Sequence, residues 1–368
     1  TGGDCIVSAT NIVGNKNLVI NGAMEIAQRA TSSTTSGYAT VDRFKHQHGG
    51  ADEAPTYAQV SLTSSDTGPW AKGFRKAFQI TNGNQTSGAG AADYIQVKQS
   101  IEAQDLASSG WDYTSGSNYI TLSFWVKSSV AQTMFVRFLT PDNDKAFSFS
   151  ISATTSWQRI IQKIPGAAGV QFDSNNGVGG SLFFIPFYGT DYTTSGHTND
   201  SWIADSGSDQ VTDMTSTWWT TNDATFSLTG VQLEVGDIAT AYEHRSYGDE
   251  LLRCQRYYYK SEKYGTSSGS GNSAVGVNYT GYQTSANAWI WVSVPFPVTM
   301  RAAPTVDTSD QAGNTGNKHS IYTSTGGGKT DNISNYHTTS FKDHFTCSNY
   351  SEQKYGMQVA GFTADAEL

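Results

Sequence analysis

Apolar residues that recur at every second position over eight or nine residues fit one regular backbone, the extended strand, because only there do alternate side chains share a face. In "NYITLSFWVKSS" Ile120, Leu122, Phe124 and Val126 fall on one side and Thr121, Ser123, Trp125 and Lys127 on the other. "QTMFVRFLT" sets Met134, Val136 and Phe138 opposite Phe135, Arg137 and Leu139, and "AFSFSISAT" continues with Phe147, Phe149 and Ile151. "WQRIIQKIPG" adds a further strand, and "GSLFFIPFYG", apolar almost throughout, reads as a central one. "TFSLTGVQLEVG" closes the series, with Leu228, Gly230, Gln232 and Glu234 on one side and Thr229, Val231, Leu233 and Val235 on the other. About eight such strands suit a β-sandwich of jelly-roll type.

Charged residues make up only 15% of the chain, and its 37 glycines favour turns and strands over long surface helices. Aromatic residues at 12% supply the apolar surface that packed cores need. A length of 368 residues exceeds what one core usually organises, so two domains are expected. The boundary falls after "QLEVGDIATAYEHRSYG", where Asp249 is a candidate N-cap and Leu251, Leu252, Gln255, Tyr258 and Tyr259 recur near helical spacing. Strand patterning then resumes, most clearly in "AWIWVSVPF", with Ile290, Val292, Val294 and Phe296 opposite Trp289, Trp291 and Ser293. The expected fold class is all-β: an antiparallel β-sandwich (jelly roll), a short helix and a second, smaller β-sandwich domain. The expected divisions are 1–16, a segment continuing from a longer chain; 17–245, the first sandwich, opening on a strand at Asn17 and an Asn-Gly turn at Asn21 and Gly22; 246–260, a helical linker; and 261–368.

The formal net charge of −9, with no Lys/Arg cluster against it, argues against nucleic acid as a partner. No run of about 18 apolar residues is present to insert into a membrane. Cys5, Cys254 and Cys347, odd in number and far apart, argue against a disulfide framework or a Cys-rich zinc site and read as small buried residues. His46 and His48 would point the same way on a strand, as a metal pair requires, but nothing nearby completes a ligand set and they read as solvated.

The segments "NLVINGAMEIAQRATSS", "VDRFKH", "LSFWVKSS", "TTSWQRIIQKIPG" and "FSLTGVQLEVGDIATAYEHRSYGDELLRCQRYYYK" resemble the jelly-roll modules of bacteriophage tail-fibre and other virion proteins, which are themselves similar to carbohydrate-binding modules. "VPFPVTMRAAPTV" and the terminal "AGFTADAEL" are similar to the distal β-domain that often follows. The resemblance implies a virion surface protein, in a tail or fibre, with other virion subunits as partners. It also implies a homotrimer that attaches to host cell-surface polysaccharide. The apolar side of "AWIWVSVPF" and Trp291 are candidates for the trimer contact. In related carbohydrate-binding modules a structural Ca2+ ties the first strand to the last. Glu25 and Glu234 occupy the corresponding strands here, either as its ligands or as ordinary surface carboxylates, and no cofactor is otherwise required.

Sugars are held by stacking an aromatic side chain on the ring face and hydrogen-bonding the rim. Between Gly189 and Asp223 the strand pattern breaks, and this long loop carries Trp202, Trp218 and Trp219 with Asp200 and Asp213, both kinds of group a glycan site needs. The competing reading has the tryptophans pinning the loop onto the sandwich. Tyr257, Tyr258 and Tyr259 read as junction packing, and Glu243 with Arg245 as an ion pair ordering the turn. The leading function is glycan attachment without catalysis. One alternative is an architectural head-fibre, decoration or connector subunit. Another is a tailspike-like glycan depolymerase using paired carboxylates such as Asp200 with Asp205 or Asp209 with Asp213.

Overall fold

The computed structural model describes residues 16–265, 279–282, 288–322, 329–334, 337–351 and 356–368. Cys5 and nearly all of the expected N-terminal segment lie outside them. In chain order the first domain contains β1 (Ser32–Ser33), β2 (Phe44–Gly49), β3 (Thr56–Ser61), β4 (Lys76–Thr81), β5 (Tyr94–Glu102) and the short helix α1 (Ala103–Ala107). There follow β6 (Tyr119–Ser128), β7 (Gln132–Thr140), β8 (Lys145–Ala153), β9 (Gln158–Pro165), β10 (Val178–Tyr188), β11 (Trp202–Ala204), α2 (Thr217–Thr220) and β12 (Thr225–Val235). They form two antiparallel sheets, ordered β1-β3-β4-β12-β6-β9 and β11-β8-β7-β10-β5-β2.

Period two predicts the inner faces correctly. Ile120, Leu122, Phe124 and Val126 of β6 meet Met134, Val136 and Phe138 of β7 and Phe147 and Phe149 of β8 in one fully buried cluster. Phe124 contacts Phe184 edge to face, ring centroids 5.1 Å apart. Each such side chain contributes roughly 1.5–3 kcal/mol by leaving water. The unbroken apolar run of β10 has its own cause. The strand lies inside its sheet between β7 and β5, sending Leu182, Phe184 and Phe187 to the inter-sheet core. Phe183, Ile185 and Tyr188 join a second cluster with Phe135 and Val211, beneath the loop that follows.

β12 departs from simple alternation. Leu228 and Val231, three residues apart, both face the core together with Leu233, because the pairing with β6 slips between Thr229 and Gln232. Gly230 makes the slip with φ +63, a left-handed conformation that glycine adopts without strain. Beyond the slip, β12 bonds on its far side to the N-terminal segment: Val231 N–H donates to Gly22 O at 2.9 Å and Leu18 N–H to Leu233 O at 2.9 Å. Residues 17–20, expected as a strand, are not one, whereas the expected turn at Asn21 and Gly22 is present, with Asn21 and Met24 at positive φ.

The helix α3 (Tyr247–Gln255) starts three residues earlier than expected. Ser246, not Asp249, is its N-cap: the Ser246 hydroxyl accepts from Asp249 N–H and donates to the Asp249 carboxylate, so both ends of the first turn are satisfied. His46 is also not solvated. Its ring is fully buried, stacks on Tyr57 with centroids 3.9 Å apart, and hydrogen-bonds through Nε2 to Thr35 O at 2.8 Å.

The second domain begins inside the expected linker, since β13 (Tyr258–Lys260) already pairs within its sheets. It continues with β14 (Tyr279–Tyr282), β15 (Ala288–Pro295), β16 (Thr305–Ser309), β17 (Lys318–Tyr322), β18 (Lys329–Ser334), β19 (His337–Ser340), β20 (His344–Ser351), β21 (Gly356–Val359) and β22 (Gly361–Asp365). Three antiparallel sheets, β13-β22-β16, β14-β21-β17-β18 and β15-β20-β19, enclose a core of Ile290, Val292, Val294, Met300, Phe345 and Phe362. The apolar side of β15 is therefore spent on this core and not offered to a partner, while Trp289 and Trp291 stand 42% and 59% exposed.

Tyr257 and Tyr258 are buried at the junction of the domains, as expected. Arg43 and Arg29 lie over their rings at 3.4 and 3.5 Å, and the Glu367 carboxylate bridges both guanidiniums. Arg256 and the Tyr257 hydroxyl meet Glu102 at 2.9 and 2.6 Å. Among the described residues no helix is long and apolar enough to cross a membrane.

Candidate functional site

The loop from Gly189 to Asp223 is a folded cover over the second sheet. Trp218 and Trp219 sit on α2 with no solvent exposure, inside the inter-sheet core. Trp219 stacks on Phe187 and its indole N–H donates to Gly88 O at 2.9 Å, while that of Trp218 donates to Thr225 O at 3.1 Å. Neither ring has a face free for a sugar. Trp202, half-buried on β11, rests against Phe138 and Phe147 and donates to Pro165 O at 2.6 Å. Trp218 and Trp219 thus pin the loop and are not the expected stacking platform, and Trp202 anchors it through its ring and indole contacts.

The loop carboxylates are engaged too. Asp205 pairs with buried Arg137, Asp209 with the His197 ring at 2.7 Å, and Asp213 accepts from Thr193 Oγ1 at 2.9 Å. Asp200, exposed at φ +58, accepts weakly from Gln162 at 3.3 Å. Of the five expected ligand residues Asp213 lines a polar groove of about 510 Å³, shared with Gln132, Ser150, Asn199 and Thr212. Its one aromatic residue, Phe135, is buried.

Glu25 and Glu234 do not fit a calcium site. Glu234 is buried, and its oxygens accept from Gln232 Nε2 at 2.8 Å, Thr240 N–H at 2.9 Å and the Thr240 hydroxyl at 2.6 Å. Glu25 lies among Lys76, Arg75 and His244, and burial still raises its carboxyl above the usual range. A hard cation wants six or more oxygen ligands, whereas these carboxylates face donors and cations. Among the described residues no three His, Cys, Asp or Glu side chains gather at one point.

The outer face of the first sheet holds a different groove, of about 320 Å³. Phe74 and Tyr242 meet edge to face at 4.8 Å, and His244 packs on both rings at 5.1 and 4.9 Å. Trp125, half-buried on β6, lines the groove beside them and is held by Gly68, where a Cβ would come within 2.6 Å of its ring. The β12 slip shapes the base, because a Cβ on Gly230 would come within 2.6 Å of the Phe74 ring. Arg159 on β9 lines it as well, with Nη2 donating to Thr240 O at 2.8 Å and Ser123 Oγ at 3.3 Å. Lys72 contributes an ammonium, and its backbone carbonyl anchors His244 Nε2 at 2.8 Å. Glu243 and Arg245, paired at 3.0 Å as expected, fix the turn that carries Tyr242 and His244. Sequence reasoning missed this groove. Its one signal was Trp125, an indole among Thr, Ser and Lys on the polar side of β6.

No family model and no curated protein matches this chain. Solved structures are similar to it only in outline. The enzymatically active domain of tailspike protein 4 of bacteriophage CBA120 aligns at 10% identity and a TM-score of 0.31, covering 60% of this chain. This chain spans 21% of that structure. The family 11 carbohydrate-binding module of a Clostridium thermocellum cellulosomal cellulase aligns at 14% identity and a TM-score of 0.27, over 59% of this chain and 99% of its own. A xylan-binding domain from Paenibacillus barcinonensis aligns at 12% identity and a TM-score of 0.27, over 58% and 99%. Likenesses so distant decide neither ligand nor role.

Proposed function

We propose that the first sandwich is a saccharide-binding module that attaches without catalysis, and that it serves a virion fibre protein at the host cell surface. The observation that carries the binding is the groove on the outer face of the first sheet. It offers aromatic surface from Trp125 and Tyr242 beside hydroxyl, guanidinium and ammonium groups, the pairing of apolar face and polar rim by which sugars are held. Its volume of about 320 Å³ falls within the range of roughly 300–1,000 Å³ common for small-ligand sites. Its lining contains no Asp or Glu, whereas glycoside hydrolysis ordinarily uses two carboxyl groups flanking the bond, so the groove supports binding over cleavage. The virion role rests on the "QLEVG" to "CQRYYY" run and its resemblance to phage fibre modules.

A glycan array probed with the protein and with Trp125→Leu, which keeps apolar volume and removes the indole, tests this reading. Retention should fall at least tenfold in the variant while the thermal unfolding midpoint holds, and Asp213→Asn in the other groove should bind normally. Undiminished binding by Trp125→Leu, or new reducing ends released from a retained polysaccharide, would refute it.

A further inference from the structure

Resting on the saccharide reading of this groove, we propose that its ligand is anionic: a sugar ring bearing a carboxylate or an ester-linked sulfate or phosphate. The lining supplies Lys72, Arg159 and His244 and no acidic side chain, on a chain whose formal net charge is −9. Fixed charge of one sign at the groove, from Lys72 and Arg159, is a local inversion of the overall charge. At physiological ionic strength the screening length is about 8 Å, so remote carboxylates weigh little against cations that touch the ligand.

Arg159 is arranged for the task. Two bonds through Nη2, to Thr240 O and Ser123 Oγ, hold the guanidinium at the groove, and Nε and Nη1 have no partner among the described residues. Those are the donors with which arginine takes an oxyanion in its planar fork. The Lys72 ammonium likewise has no carboxylate partner among the described residues. Glu25 lies in electrostatic reach of His244 and is itself answered by Arg75 and Lys76, while neighbouring Glu243 pairs with Arg245. A neutral sugar would leave Arg159 and Lys72 facing only hydroxyls, whereas an anionic substituent would supply the counter-charge and accept two parallel N–H bonds from the guanidinium.

The test compares matched polymers by affinity electrophoresis: polygalacturonate against its full methyl ester, and dextran sulfate against dextran, each with wild type, Arg159→Gln and Lys72→Gln. The proposal expects at least tenfold tighter retention by one acidic polymer than by its neutral partner, with the preferred pair identifying carboxylate or sulfate. Both variants should lose most of that difference at an unchanged unfolding midpoint. Equal retention of acidic and neutral partners overturns the anionic assignment and leaves saccharide binding standing. An acidic preference that survives both substitutions overturns the assignment to this groove. No retention of any saccharide, here or on the array, removes both readings.

Discussion

Trp218 and Trp219 show how little a residue type says about its role before its burial is known. Both rings lie wholly within the inter-sheet core, so truncating either one is an experiment on stability rather than on binding. His46 shows the same for a titratable group. Buried against Tyr57, with Nε2 at Thr35 O, its imidazole is favoured neutral and its pKa falls to about 4 through desolvation. An unfolded histidine titrates near 6.5, so between those values the unfolded chain binds more protons. Stability that is complete above about pH 6.5 is therefore lost as pH drops toward 4. Asp42, raised to about 6 by its own burial, works with the opposite sign and partly offsets this loss. Since it does so equally in a variant, the difference isolates the histidine. His46→Gln should flatten the acid limb of unfolding free energy against pH by about 3 kcal/mol. If urea titrations at pH 4, 5, 6 and 7 give parallel limbs for the two proteins, the acid sensitivity belongs elsewhere.

Among the elements, β6, β7 and β8 were legible because each keeps period two for nine or ten residues and buries one face against a single partner sheet. β12 keeps the same hydrophobic content but resets its phase at Gly230, and no alternation rule foresees where a strand will slip. The cover over the second sheet was illegible for another reason: its anchors, Phe187, Gly88 and Pro165, are distant in sequence and leave no local period. The candidate groove suffers likewise, since Lys72, Trp125, Arg159 and Tyr242 come from four separate segments. Gly230→Ala combines a positive φ with a contact of 2.6 Å to Phe74, and should cost about 1–3 kcal/mol and raise amide exchange along the second half of β12. Unchanged exchange there would mean that the slip tolerates a side chain.

At the scale of the whole molecule, the two domains are joined by charge as well as by chain. Glu367, 5% exposed at its side chain, meets Arg29 and Arg43, and Arg301 donates to Ala366 O, Glu367 O and Asn176 O at 2.8, 3.0 and 2.8 Å. Removing one member of a buried ion cluster leaves the others without a counter-charge, at about 3–5 kcal/mol. Glu367→Gln should lower stability by that order and divide a single calorimetric transition into two; one unshifted peak would deny the cluster both roles. Arg43 and Glu367 stand 324 positions apart. A ribosome adding about 5–20 residues per second needs roughly 15–65 s to cover that interval. For that long a nascent first module exposes two arginines whose counter-ion has not been made, and any message cut short before Glu367 leaves them uncovered for good.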